Sequence, residues 1–184
     1  MAELSWASLT TPVGPVSVAA SAAGVAQVRY GAPPAQAATD RAATNGASCD
    51  LAETAGQQLA EYFSGQRREF DLQLDWSSTK GTQREVLRVL AGSVSYGETI
   101  RYGQLARRAD LTAIAGTLAA GTLPARTVGQ IMGSNPIPVI VPCHRVLASD
   151  GLGGYSGGAG IEVKRWLLIL EGSLPPTLDW QPMT

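Results

Sequence analysis

Cys143 stands beside the only histidine of this 184-residue chain. The triplet Cys143-His144-Arg145 follows an apolar run, Val139-Ile140-Val141, and Pro142. A thiol becomes a useful nucleophile when a neighbouring base or positive charge raises its thiolate fraction, and this triplet supplies both. An isolated cysteine is more often an inert small hydrophobe, and Cys49, in a polar stretch, is read that way. Adjacent side chains of a regular strand point to opposite faces, so Cys143 and His144 can cooperate only through a turn or a bridging water. Cys49, Cys143 and His144 are the only soft or borderline metal ligands in the sequence, too few for a four-ligand zinc site. No metal is expected.

The elements that must hold this triplet are those of a folded protein. Hydrophobic residues make up 45% of the chain and charged residues 16%, which excludes wholesale disorder. The formal charge of −1 excludes a bulk-basic nucleic-acid binder, but the balance is uneven. Residues 1–79 carry four basic and eight acidic side chains; residues 80–184 carry ten and seven. A polyanion is therefore expected on the second half. The start, MAELSWASLT, lacks the charged-then-apolar pattern of a secretory signal, and no apolar run approaches the roughly 20 residues that span a bilayer. Two reduced thiols, a cytoplasmic location and no membrane partner are the expectations.

Periodicity divides the chain at residue 79. Residues 7–31 read as one β-hairpin, 32–48 as a loop, Asp50 to Phe63 as an amphipathic helix with Asp50 as its N-cap, and 70–76 as a half-buried strand. A mixed first domain over 1–79 follows. From Thr82 the pattern is helical and stops at Gly92, and a short helix carries Tyr102, Leu105 and Ala106. Residues 110–124 read as a loop with a helical piece. In PARTVGQIMGSN, Val128, Ile131 and Met132 share a face, with Pro124 at the start and Gly133 and Asn135 at the end. Two short helices with a break suggest a helix-turn-helix arrangement in a mostly helical second domain, 80–184. The fold class is α+β.

Taken in order, several blocks resemble one family. PCHRV, preceded by Asn-Pro and followed by GGYSGG and KRWLLILEG, is similar to the active-site region of the O6-alkylguanine-DNA alkyltransferases, the methylated-DNA-protein-cysteine methyltransferases. PVGPVSVAASAAGVAQVRY resembles the family's N-terminal hairpin, LAEYFSGQRREFDLQL its Tyr-Phe-x-Gly helix and strand, and SYGETIRYGQLARRA its first helix-turn-helix element. ARTVGQIMGSNPIPVIVPCHRV resembles its recognition helix, Asn hinge and nucleophile.

The resemblance implies an N-terminal ribonuclease-H-like α/β domain and a helical DNA-binding domain. It implies irreversible, stoichiometric transfer of an alkyl group from guanine O6 in double-stranded DNA to Cys143 of a monomer without a cofactor, and leaves O4-alkylthymine open as a second substrate. His144 would deprotonate the thiol through a water, oriented by Glu171; by residue type alone Glu171 reads as a solvated carboxylate near a helix end. Tyr102 would face the extruded base and protonate the leaving guanine, although alone it reads as a packing residue. Asn135 would form the hinge. Val146, Tyr155 and Ser156 would contact the base. Arg126 would enter the stack in the base's place, since its planar cation can both stack and face a polyanion. Thr127, Gly129 and Gly133 would complete the DNA-facing helix, which in the family enters the minor groove.

The chain departs from the family pattern in three places. Residues 110–124 lengthen the interval between Tyr102 and Arg126, GTQREVLRVL lacks the usual aromatics, and Ser95 replaces the proline of Pro-Tyr-Gly. Two other classes stay open on the sequence. An alkyltransferase-like lesion-binding protein lacks the nucleophile, which Cys143 argues against. A Cys-His hydrolase normally draws its histidine from a remote segment, and no oxyanion-hole signature is visible.

Overall fold

Two-residue turns at Pro12-Val13 and Ala22-Ala23 reverse the chain twice, so residues 5–30 form three antiparallel strands and not one hairpin. The computed structural model describes residues 4–35, 46–111 and 124–176. In it β1 (Ser5–Thr11), β2 (Gly14–Ser21) and β3 (Gly24–Tyr30) pair in chain order, with Leu9 opposite Val16 and Val18 opposite Val28. The first reversal is held by Thr11, whose Oγ1 donates to the Gly14 carbonyl at 2.6 Å and accepts from Val13 N at 3.2 Å. Its signal, a hydroxyl before Pro-Val-Gly, is weaker than the Ala-Ala-Gly of the second, which is why residues 7–31 read as one hairpin.

Helix α1 (Gly46–Phe63) lies on this sheet and buries Ala52, Ala55, Leu59, Tyr62 and Phe63. Asp50 falls inside the helix and is not its N-cap, Gly46 to Ser48 belong to it as well, and Cys49 therefore sits on a helix, not in a loop. The apolar face forms whichever residue opens the first turn. Gly65, at φ +76, ends the helix as expected, its N–H donating to the Tyr62 carbonyl.

Residues 70–76 make a single parallel bridge, Leu74 to Val25, and not a strand. The segment alternates as expected, but its Asp75 carboxylate turns inward, accepting from Ser21 Oγ at 2.6 Å and Ser77 N at 2.8 Å. Gly24, at φ +135, admits it: a Cβ there would lie 2.4 Å from the Gln73 carbonyl oxygen. This first unit ends at Ser78, and a second is built on Thr79–Pro175.

The second unit contains α2 (Gly81–Ser93), β4 (Ile100–Arg101), α3 (Tyr102–Arg108), α4 (Pro124–Gly133), a 3-10 turn (Cys143–Arg145), β5 (Val146–Leu147) and α5 (Ile161–Leu170). Helices α2, α3 and α4 pack on one another through Val86, Leu87, Leu90, Leu105, Val128, Ile131 and Met132. Each fully buried side chain of this kind contributes roughly 1.5–3 kcal/mol. Gln104 Oε1 accepts from Arg101 N at 2.9 Å and caps α3. A two-residue parallel pairing, Ile100 with Val146 and Arg101 with Leu147, joins the start of α3 to the chain just after the Cys-His-Arg turn. The loop reading of 110–124 lies largely outside the described residues.

Candidate active site

Three prolines and an asparagine shape the approach to Cys143. Asn135 Oδ1 accepts from Ile137 N at 3.0 Å while its Nδ2 donates to the Val141 carbonyl at 2.8 Å, so one side chain bridges both ends of the turn. Val141 N also donates to the Ile137 carbonyl at 2.9 Å. Between them Val139 is held at φ +74, a conformation that disfavours a β-branched residue by on the order of 1–3 kcal/mol and persists only where its surroundings impose it. Cys143 then opens the 3-10 turn, its N–H bonded to the Val141 carbonyl. The turn removes the strand geometry that would have set Cys143 and His144 on opposite faces.

Behind the cysteine lies a buried ionic cluster. His144 Nε2 is 3.0 Å from Glu171 Oε1, and neither side chain has exposed surface. Arg145 clasps the same carboxylate, Nη2 to Oε1 at 2.8 Å and Nε to Oε2 at 2.9 Å, while its Nη1 donates to the Val94 carbonyl at 2.7 Å. Burial raises the Glu171 pKa, but hydrogen bonds and charges from His144 and Arg145 outweigh it and hold the group down to about 2. Burial pushes the His144 pKa below that of ordinary imidazole. Burial also pushes the Cys143 thiol up, opposed by the Asn135 amide, the charge of Lys164 and nearby backbone N–H groups, so the resting sulfur is a protonated thiol.

Lys164, on α5, is fully buried, donates to the carbonyls of Val146 at 2.6 Å and Gly154 at 3.3 Å, and places Nζ 6.0 Å from the centre of the Tyr102 ring. Burial brings its pKa down to about 8, against the pull of Cys143. Tyr102 is pushed up, first by burial and then, once Cys143 is a thiolate, by its charge.

In front of Cys143 a cleft of about 510 Å³ opens, lined by Tyr102, Arg126, Gly129, Met132, Tyr155 and Ser156 among others. Its volume lies in the range of small-molecule sites. Gly153, at φ +71, lies against Tyr102: a Cβ there would meet the ring at 3.0 Å and its hydroxyl at 3.1 Å. A buried thiol backed by a base and facing a ring-sized cleft can attack an electrophilic carbon held there.

Sequence profiles agree with this reading. That of the ribonuclease-like domain of 6-O-methylguanine DNA methyltransferase matches residues 4–76, and that of the same enzyme's DNA-binding domain matches residues 81–173. The chain belongs to the 6-O-methylguanine DNA methyltransferase family. The methylated-DNA–protein-cysteine methyltransferase of Mycobacterium bovis is 44% identical over 120 residues, 65% of this chain and 64% of that protein. The mouse protein of the same name is 48% identical over 89 residues, 48% of this chain and 37% of that protein. Each match thus spans less than two thirds of the relative's length. Among solved structures, Mycobacterium tuberculosis OGT in complex with DNA aligns at a TM-score of 0.67 and 33% identity, covering 91% of this chain and 93% of that one.

In this member of the family the residues singled out from the sequence fall into three places. Cys143, His144, Glu171 and Asn135 share the turn and the cluster behind it. Tyr102, Tyr155, Ser156, Arg126, Gly129 and Gly133 line the cleft. Val146 does neither: it is buried, pairs with Ile100, and offers its carbonyl to Lys164. Arg126 is exposed in the first turn of α4, whereas the neighbouring Thr127 Oγ1 is buried with no hydrogen-bond partner among the described residues. Sequence reasoning gave no site role to Lys164, Gln130, Met132 or Gly154, nor one to Arg145 beyond its charge. Lys164 carried a signal: it shares a helix face with Leu167 and Leu168, where a cation is out of place unless it is held.

Proposed function

We propose that this protein repairs DNA by accepting the alkyl group of O6-alkylguanine onto Cys143, once per molecule. His144 takes the thiol proton, through a bridging water, and the imidazolium so formed is stabilised by Glu171. The Cys143 thiolate, next to the Lys164 cation, attacks the alkyl carbon in line. A sulfur–carbon bond forms as the carbon–O6 bond breaks, and the electron pair leaves with the guanine, which is neutralised by a proton donated from Tyr102. The products are S-alkylcysteine and unmodified guanine. A thioether has no good leaving group, so the protein is consumed.

The observation that carries this reading is the buried His144–Glu171 pair, next in the chain to a Cys143 that lines a cleft together with Tyr102. The base must leave the duplex to reach the cleft, and exposed Arg126 at its rim suits the vacated position, by stacking and by charge. Glycines at 129 and 133 suit close approach of α4 to a DNA backbone.

Incubation with duplex DNA carrying radiolabelled O6-methylguanine should move label to protein in at most a one-to-one ratio, and Cys143→Ala should take none. Repeated turnover would instead mark a hydrolase. Binding without transfer would mark a lesion sensor.

A further inference from the structure

The steps above use Cys143, His144, Glu171, Tyr102 and Lys164 and leave Arg145 without a part. Yet Arg145 is 6% exposed and makes more bonds to Glu171 than His144 does. Its planar fork meets both carboxylate oxygens, and its third nitrogen is anchored on the Val94 carbonyl at the end of α2. Glu171 Oε1 is shared between Arg145, through Nη2 at 2.8 Å and Nε at 3.2 Å, and His144 Nε2 at 3.0 Å.

That sharing matters because a carboxylate facing imidazole alone in a dry interior binds a proton on the ring strongly. A ring that already carries its second proton cannot accept one from a thiol. We infer that Arg145 is a positioning residue: by holding Glu171 through both oxygens it keeps that carboxylate from drawing a resident proton onto His144, and so leaves the ring open to the proton of Cys143.

The charges acting on His144 agree with this. Glu171, at the end of α5, favours the protonated ring; Arg145 from the same turn and Lys164 from α5 oppose it, and burial opposes it most. Cys143 is the adjoining titratable group of the turn, and from the end of α2 the contact is the uncharged Val94 carbonyl, reached through Arg145. Without the guanidinium, one of the two opposing cations is gone and the whole carboxylate turns to the ring.

Because His144 is the only histidine, its imidazole resonances can be followed by NMR without assignment. In Arg145→Met and Arg145→Gln the ring should titrate about one pH unit higher than in the parent. The acid limb of the single-turnover alkyl-transfer rate should rise with it, and Arg145→Lys should return both towards the parent. The ring titration stands apart from the proposed reaction, so its failure and the failure of that reaction are distinguishable. An unmoved titration in either folded neutral variant overturns the inference, as does a rate lowered by one factor at every pH with the limb in place. Should neither neutral variant fold, the parent decides: a ring that titrates above the ordinary imidazole value of about 6.5 shows the carboxylate drawing the proton despite Arg145.

Discussion

Glu171 and His144 both titrate below their ordinary values in the folded chain, so on acidification the unfolded chain takes up protons before the folded one does. Stability linked to His144 is present above about pH 6.5 and falls as acid protonates the unfolded ring. That linked to Glu171 is present above pH 4.5 and is lost as pH falls towards about 2. The Glu171 window is worth on the order of 3 kcal/mol. Urea unfolding at pH 6, 4.5 and 3 should show the parent losing stability steeply across the last interval. Glu171→Gln, weaker by about 3–5 kcal/mol at pH 6 because Arg145 is left buried and unpaired, should be flatter there. Parallel curves below pH 4.5 would remove Glu171 as the source. The sequence could not show this on its own: Arg145 and Glu171 are 26 residues apart, and nothing local to Leu-Glu-Gly marks that carboxylate as buried. It was legible only through the resemblance. Cys143 stands out by itself as the candidate nucleophile, because its neighbours are the base and the cation that a reactive thiol requires.

Helix α4 is the element on which the proposed DNA contact depends. Arg126→Ala should lose about tenfold or more in rate on a lesion within duplex DNA, since extruding a base costs a few kcal/mol, while reaction with free O6-alkylguanine should change little. Equal losses on both substrates would remove the extrusion role. This helix was plain from the sequence because Val128, Ile131 and Met132 repeat at its period and Pro124 and Gly133 punctuate it. The elements that were misread failed for local reasons. The meander passed as a hairpin because its first turn is formed by a hydroxyl and not by Asn-Gly. Residues 70–76 alternate like a strand, yet Asp75 bonds to Ser21 and the pairing stops at one bridge. The Cys-His-Arg turn showed in the sequence only as a requirement that some bend exist.

On the scale of the whole molecule, the acidic first half and basic second half limit where a polyanion can bind. Of the second half's cations, Arg145 and Lys164 are buried and committed, which leaves exposed groups such as Arg101, Arg107, Arg108 and Arg126. If about three to five of them meet phosphates, the logarithm of the DNA binding constant should fall with the logarithm of salt concentration at a slope between about −3 and −5. Arg126→Ala should make that slope shallower by about one; a slope near zero would rule out this docking surface. The second unit, Thr79–Pro175, opens where the alternation of residues 70–76 gives way to the helical period that starts at Thr82. The distance along the chain between His144 and Glu171, 27 residues, has a consequence during synthesis. The sulfur leaves the ribosome well before its carboxylate does, so a nascent chain carries the reactive atom without the partner that makes its base effective. Under the proposed reaction, alkyl transfer thus waits until translation has passed α5.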